Sequence, residues 1–289
     1  MSINPNPEFA SSSSGFSVWS DGEISVGSIK ASSSSPSRKF NHSNITIGAD
    51  KMYKENNLIG FALSVGREDT DIGTDGSNVQ SDNIGISLYT TYKLNQVSQI
   101  EASIGFSDLN LDNKRIDENE TLTGKRNGQL YTGSIRLRKF IDFNGLDYSF
   151  YSGINFTDIK LEKYDEAGGN KALRYFDQDN DYKELDLGIQ ISKLNDYKDY
   201  KIRTYTDLHY SRFLNKISPA SMRYLSQSNI YSVEVANEFK ANTTIKLGIN
   251  AWKSEDLKID FSVSRMESVH NNDNDIYVNS VNFGIRYTF

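Results

Sequence analysis

From residue 16 to the end of this 289-residue chain, apolar and polar residues alternate one by one, in run after run. A period of two is the signature of a β-strand whose two faces meet different surroundings. Ile59, Phe61, Leu63 and Val65 alternate with Gly60, Ala62, Ser64 and Gly66. Ile84, Ile86 and Leu88 follow the same rule, as do Ile100, Ala102, Ile104 and Phe106. So do Leu146, Tyr148 and Phe150, then Leu185, Leu187, Ile189 and Ile191, and finally Leu257, Ile259, Phe261 and Val263. No segment carries a helical period and no second domain is visible. The spacing predicts thirteen candidate strands: 16–29, 43–53, 58–67, 83–94, 98–110, 128–141, 146–161, 183–194, 199–213, 228–240, 243–253, 257–267 and 277–289.

The connections alternate in length. Those at 54–57, 95–98, 142–145 and 195–199 read as tight hairpin turns. Between them fall long polar stretches at 31–41, 68–82, 112–127, 162–181 and 215–227. Short turns at one rim and long loops at the other is the layout of an outer-membrane barrel, and a soluble sandwich supplies no reason for it. Composition agrees. Seventeen Tyr and fifteen Phe against only four Pro favour strands. No stretch approaches 18 consecutive apolar residues, which excludes membrane-crossing helices but not barrel strands, since these show lipid only at every second position. The chain has no Cys, and its net charge of -6 comes with scattered basic residues, so no nucleic-acid partner is indicated.

If the apolar side faces lipid, the opposite side carries Glu101, Arg136, Arg138, Asp147, Asp186, Arg203, Asp207, Glu234, Glu238, Lys246, Asp260 and Arg286. Charges of both signs suit a hydrated lumen, whereas an Arg or Lys at the bilayer midplane costs about 2–4 kcal/mol. A sandwich would bury the apolar side instead, so alternation alone leaves both open. The C-terminus weighs on the barrel side. Val281, Phe283, Ile285, Tyr287 and Phe289 alternate with Asn282, Gly284, Arg286 and Thr288. A chain ending this way in Phe resembles the signal read by the outer-membrane barrel assembly machinery. Bacterial single-chain barrels have even strand numbers, so thirteen cannot stand. The expectation is a transmembrane antiparallel up-and-down barrel of 12 strands, the surplus strand lying between 228 and 267, with 14 as the alternative if a strand is hidden in a long loop.

Several segments together resemble the β-domain of classical autotransporters (type V secretion). Val18-Trp19-Ser20-Asp21-Gly22, leading to Gly27, matches the opening strand of that family, and Ile47-Gly48-Ala49-Asp50 the second. Leu58-Ile59-Gly60-Phe61-Ala62 matches the third and Ile86-Ser87-Leu88-Tyr89-Thr90-Thr91-Tyr92 the fourth, with Gly284-Ile285-Arg286-Tyr287-Thr288-Phe289 as the ending. The resemblance covers about residues 16–289. It implies a translocator in the outer membrane of a Gram-negative bacterium, supporting export of an upstream passenger carried in cis. It implies lipid and the assembly machinery as partners, and a monomer. The opening MSINPNPEFASSSSG is not a signal peptide. Residues 1–15 are therefore expected to be a flexible tail left from a truncated linker, and 16–289 the barrel, with the natural chain extending upstream. Without its passenger and pore helix this chain is expected to export nothing.

Some outer-membrane barrels are hydrolases, so catalytic groupings matter. His42 and His270 fall in polar, loop-like contexts without partners at metal-ligand spacing. Asp207 and His209, two apart on a strand, share a face and resemble half of an omptin protease site. A lumen hydrogen-bond network with Arg203 and Tyr205 is the plainer reading. Asp69, Asp71 and Asp75 with Gly73 and Gly76 lack the closing Glu of a calcium loop. No enzyme activity, cofactor or metal is expected. The alternatives are another outer-membrane barrel, either a small porin or a surface-binding protein, and after that an omptin-like hydrolase. Trp19, Trp252, Tyr53, Tyr92, Tyr148 and Tyr210 are candidates for the aromatic girdles at the membrane surfaces.

Overall fold

The computed structural model describes residues 15–31, 35–54, 56–214, 219–233, 240–254, 256–269 and 275–289. The proposed tail therefore lies outside the described residues except Gly15, as do Glu234, Glu238 and His270. Sixteen strands are described in chain order. These are β1 (Phe16–Ile29), β2 (Arg38–Tyr53), β3 (Asn57–Ile72), β4 (Ser77–Asn95), β5 (Ser98–Asp117), β6 (Glu120–Phe143), β7 (Leu146–Leu161) and β8 (Tyr164–Asp165). There follow β9 (Leu173–Tyr175), β10 (Gln178–Tyr197), β11 (Tyr200–Phe213), β12 (Ala220–Tyr224), β13 (Tyr231–Val233), β14 (Ala241–Ser254), β15 (Leu257–Val269) and β16 (Ile276–Thr288).

Twelve of them close an antiparallel barrel in the order β1-β16-β15-β14-β11-β10-β7-β6-β5-β4-β3-β2. The even count is met without the candidate strand at 228–240. β11 pairs directly with β14, through Arg212 and Ala241, and the described residues 219–233 between them lie outside the ladder. Of that candidate only Tyr231–Val233 is seen as a strand, in a separate sheet, and 234–239 lie outside the described residues.

The alternation does its expected mechanical work. Ile24, Ile45, Phe61, Leu63, Ile84, Leu88, Ile104, Leu137, Leu187, Leu247, Phe261 and Phe283 are all exposed on the outer wall, while Ser64, Ser87, Asp186, Asn250 and Ser262 are buried inside. Such a surface is stable only against lipid. In water it would be a continuous apolar belt far larger than a soluble monomer carries. At the short-turn rim the hairpins are tight. Asn144 and Gly145 both have positive φ, 54° and 73°, as the primed turn of a two-residue hairpin requires.

Two of the stretches read as long loops are largely ladder. β3 runs to Ile72 and β4 starts at Ser77, while β5 and β6 continue to Asp117 and from Glu120. The apolar alternation stops near Val65, Ile84 and Ile104 because both faces are hydrated beyond the bilayer. A hydrogen-bonded ladder needs no apolar face, so it continues unseen by hydropathy. On this overhang sits a second sheet, ordered β13-β12-β9-β8, built from the connections β7–β10 and β11–β14. Arg115 of β5 holds it by bonds to both oxygens of Glu166, at 3.0 and 2.7 Å. Tyr164 and Tyr175 stack at 4.8 Å, and Leu122 beneath is fully buried.

Candidate functional site

The lumen is where the polar side chains converge. The structure places all ten described charged residues of the inward set on lumen-facing positions: Glu101, Arg136, Arg138, Asp147, Asp186, Arg203, Asp207, Lys246, Asp260 and Arg286. Most of them are paired. Arg138 donates from Nε to Glu101 at 2.7 Å and from Nη1 to Ser149 at 2.8 Å, and Gln99 donates to the same Glu101 oxygen at 2.8 Å. Arg136 meets Asp186 at 2.9 Å. Both guanidinium groups stack on the ring of Tyr151, each 4.7 Å from its centroid, and the Tyr151 hydroxyl donates to Asp207 at 2.8 Å. Tyr205 donates to Asp260 at 3.2 Å. Lys246 stands opposite Asp207 in the ladder, and Arg203 lies a looser 3.9 Å from Asp147.

A second cluster ties the seam where the barrel closes. Arg286 of β16 donates both Nη atoms to Asp50 of β2, at 2.7 and 2.8 Å, reaching over β1. The Tyr89 hydroxyl donates to Asp50 at 2.7 Å and accepts from the Trp19 indole at 2.6 Å. Beneath, Ser17 and Thr288 share a hydrogen bond of 2.9 Å. Met52, Leu58, Ala62 and Tyr89, with Trp19 against them, form a small apolar patch inside the lumen.

Glycine explains how these rings lie so flat. A Cβ on Gly48 would come within 2.3 Å of the Trp19 ring, and one on Gly60 within 2.3 Å of the Tyr89 ring. Gly188 and Gly248 stand in the same relation to Tyr151 and Tyr205, at 2.2 Å. In each case the glycine is the ring's direct cross-strand partner. The ring thus covers backbone that glycine leaves bare.

This disposes of Trp19 as a girdle residue: it lies inside. Trp252 also shares the lumen-facing register, with Arg203 6.0 Å from its ring. Tyr53, Tyr92 and Tyr210 are exposed on the outer wall, and Tyr148 lies half-buried on that same side. Parity decides the matter, and a tryptophan's amphipathic character does not override it. Val281, Phe283, Ile285, Tyr287 and Phe289 all project outward, and Phe289 packs edge-on against Tyr287 at 4.8 Å. The Phe289 amide donates to the Phe16 carbonyl at 2.9 Å, so the chain end is stitched to the first strand.

The histidines fall differently from the expectation. His42 is within β2 and not in a loop, with Nδ1 3.9 Å from Glu68. The acid nearest His209 is Asp186, at 3.8 Å, whereas Asp207 is engaged by Tyr151. Asp75 accepts a hydrogen bond from the Ser77 amide at 2.9 Å, closing the β3–β4 turn. Sequence reasoning missed Asp50, Tyr89 and Tyr151 as lumen anchors. A glycine directly opposite each ring was the available signal.

The model of the autotransporter β-domain matches residues 18–264. The chain belongs to the autotransporter β-domain family. An autotransporter barrel of this kind has solved counterparts. It is similar to the translocator domain of the autotransporter NalP from Neisseria meningitidis, with 14% identity over 96% of this chain and 89% of that one and a TM-score of 0.78. It is similar to the β-domain of the Bordetella autotransporter BrkA, at 10% identity, 95% and 100% coverage and a TM-score of 0.68. The transport unit of AIDA-I from Escherichia coli follows at 13% identity, 100% and 93% coverage and a TM-score of 0.55. No curated protein matches the sequence. The autotransporter barrel is thus an outer-membrane translocator unit, whose wall, lumen and seam are those described above.

Proposed function

We propose that this barrel spans the outer membrane as a monomer and offers its lumen as the passage for a passenger carried upstream in the same polypeptide. The observation that carries the reading is a closed twelve-stranded wall, apolar outside and lined inside by mutually paired charges, in a chain of the autotransporter β-domain family. The overhanging rim and its sheet then face the cell exterior and the tight turns face the periplasm. Lipid contacts the outer belt. The assembly machinery takes the chain by strand addition at β16, with Val281, Phe283, Ile285, Tyr287 and Phe289 as its determinants. No bond chemistry is assigned to the lumen. The engagement of Asp207 by Tyr151 supports reading it as part of the wall and not as an orienting acid for His209.

The test places a signal peptide and an epitope-tagged segment ahead of residue 15 and follows the tag with protease added to intact cells. Surface exposure that depends on an inserted, heat-modifiable barrel is the expected result. A barrel that inserts fully while the tag stays inside would overturn the translocator reading. Removing Phe289 separates the roles of the last strand. Insertion in cells should fall while refolding of the purified barrel in detergent is unchanged; an equal loss in both would make Phe289 a stability residue alone.

A further inference from the structure

Eleven of the twelve wall ladders join strands that follow one another along the barrel chain. The exception is β1 with β16, which no turn connects. A hairpin sets its own register through its turn, but a seam has to find its register by side chains. Apolar alternation cannot do this fully, because a slip of two residues keeps every side chain on its proper face. We propose that the Asp50–Arg286 pair is the register key of the closing seam.

In the observed register Trp19 stands opposite Arg286, Asp21 opposite Gly284 and Ser25 opposite Ser280. Asp50 lies one strand further on, opposite Ser17, whose small buried side chain leaves Arg286 room to cross β1. Both members of the pair are almost fully buried, 0% and 5% exposed at the side chain. A two-residue slip that carries Arg286 from Trp19 to Asp21 takes it a further two residues from Asp50 and leaves that carboxylate buried without its cation. Removing one partner of a buried pair is disfavoured by more than about a hundredfold, and fixing register is the best-attested use of such pairs. The slip also has a preferred direction. Moving β16 so that Arg286 meets Asp21, which now stands opposite Gly284, gives the guanidinium a new carboxylate. Moving it the opposite way sets Arg286 opposite Ser17, in the row of Asp50 itself, where no acid remains once Asp50 is replaced. Loss of Asp50 therefore selects one slipped register, in which Ser25 faces Asn282.

The chain contains no cysteine, so introduced pairs are unique. Directly opposed strand residues lie within disulfide reach, and those displaced by two do not. The experiment oxidises the full chain, refolded in lipid vesicles, carrying Ser25→Cys with Ser280→Cys, with Asn282→Cys, or with Val278→Cys. With Asp50 and Arg286 in place, only the first pair should cross-link. In Asp50→Asn the Ser25–Asn282 pair should rise at least about tenfold at the expense of the first, with Val278 staying dark. The exchange Asp50→Arg with Arg286→Asp should restore the first pair. Unchanged cross-linking in Asp50→Asn, or a gain at Val278 instead, would overturn the proposal. If Asp50→Asn fails to close and yields neither product, recovery of the first pair by the exchanged variant supports the key, and failure to recover it refutes the key.

Discussion

Glu166→Ala removes the anchor of the outer sheet and should loosen that sheet while leaving the barrel intact. The Glu166 side chain is 2% exposed and takes two charge-assisted bonds from Arg115, together with one from the Leu173 amide at 3.0 Å. Arg115 does not become an isolated charge, because Asp117 and the Lys171 carbonyl still accept from it, each at 2.9 Å. The full penalty for orphaning a buried ion is therefore too large a figure. The losses are about 1.5–3 kcal/mol for bonds to a charged group and about 1 kcal/mol for a buried amide left unpaired. About 3 kcal/mol in total corresponds to roughly a hundredfold more opening. Since the small sheet meets the wall mainly where β8 lies against β6, with β9 and β12 stacked beyond it, the opening is local. Hydrogen exchange resolved by residue should show protection of Leu173, Tyr175 and Tyr224 falling by that factor, with β2 and β3 unchanged and the barrel's heat-modifiable migration intact. Protection in the outer sheet within threefold of the parent, or an equal loss throughout the wall, would refute the assignment of Arg115–Glu166 as its anchor.

Gly60→Ala forces a Cβ into the Tyr89 ring and should break the Tyr89–Asp50 bond, costing about 1–3 kcal/mol by overpacking, read as a lower temperature of gel-shift loss. Leu63→Arg faces lipid at mid-wall and should cost about 2–4 kcal/mol in denaturant titration of vesicle-embedded barrel. At the overhanging rim, hydrogen bonds from Lys171 and Arg115 hold Asp117 below its ordinary value of 3.8, and in the outer sheet the hydrogen bond from Arg174 lowers Asp165 likewise. A depressed carboxyl stabilises above its unfolded pKa and loses that contribution as pH falls through the folded one. Loop proteolysis should therefore be flat from neutrality to about pH 4 and rise only below it; a rise near pH 6 would contradict the assignment.

The barrel was legible because its one requirement, a lipid-facing side on every strand, is written at single-residue period. Strand ends were not, since beyond Val65 and Ile104 the ladder continues with both faces in water. The outer sheet left no trace in the sequence pattern. β8 has two residues and β9 three, too short for periodicity, and their pairing joins segments far apart in the chain. In the lumen, parity gives the inward side of Arg136 or Asp186 but not who meets whom across β6, β7 and β10. The two tryptophans show the same limit from the other side. Composition suggests the membrane surface for them, and register puts Trp19 beside Tyr89 instead.

The passage proposed for this lumen would face two opposed demands, and the pairing of its charges would answer both. It must stay hydrated, or the passing backbone would lose its hydrogen bonds to water without replacement. It must also not hold the chain, and an unpaired buried arginine would bind every carboxylate that went by. Arg136 with Asp186, Arg138 with Glu101 and Arg286 with Asp50 give a polar wall whose strongest charges are neutralised by each other. The same bonds cross strands, so they stiffen the cylinder as they neutralise it. Replacing Glu101 with Gln would upset this balance without removing bulk. Arg138 would keep Ser149 and its stacking on Tyr151, but lose its carboxylate. If the wall works by self-neutralisation, the Glu101→Gln barrel should slow an acidic passenger segment more than a basic one in the surface-exposure assay. Equal slowing of both would mean that Glu101 matters only for the stiffness of the wall.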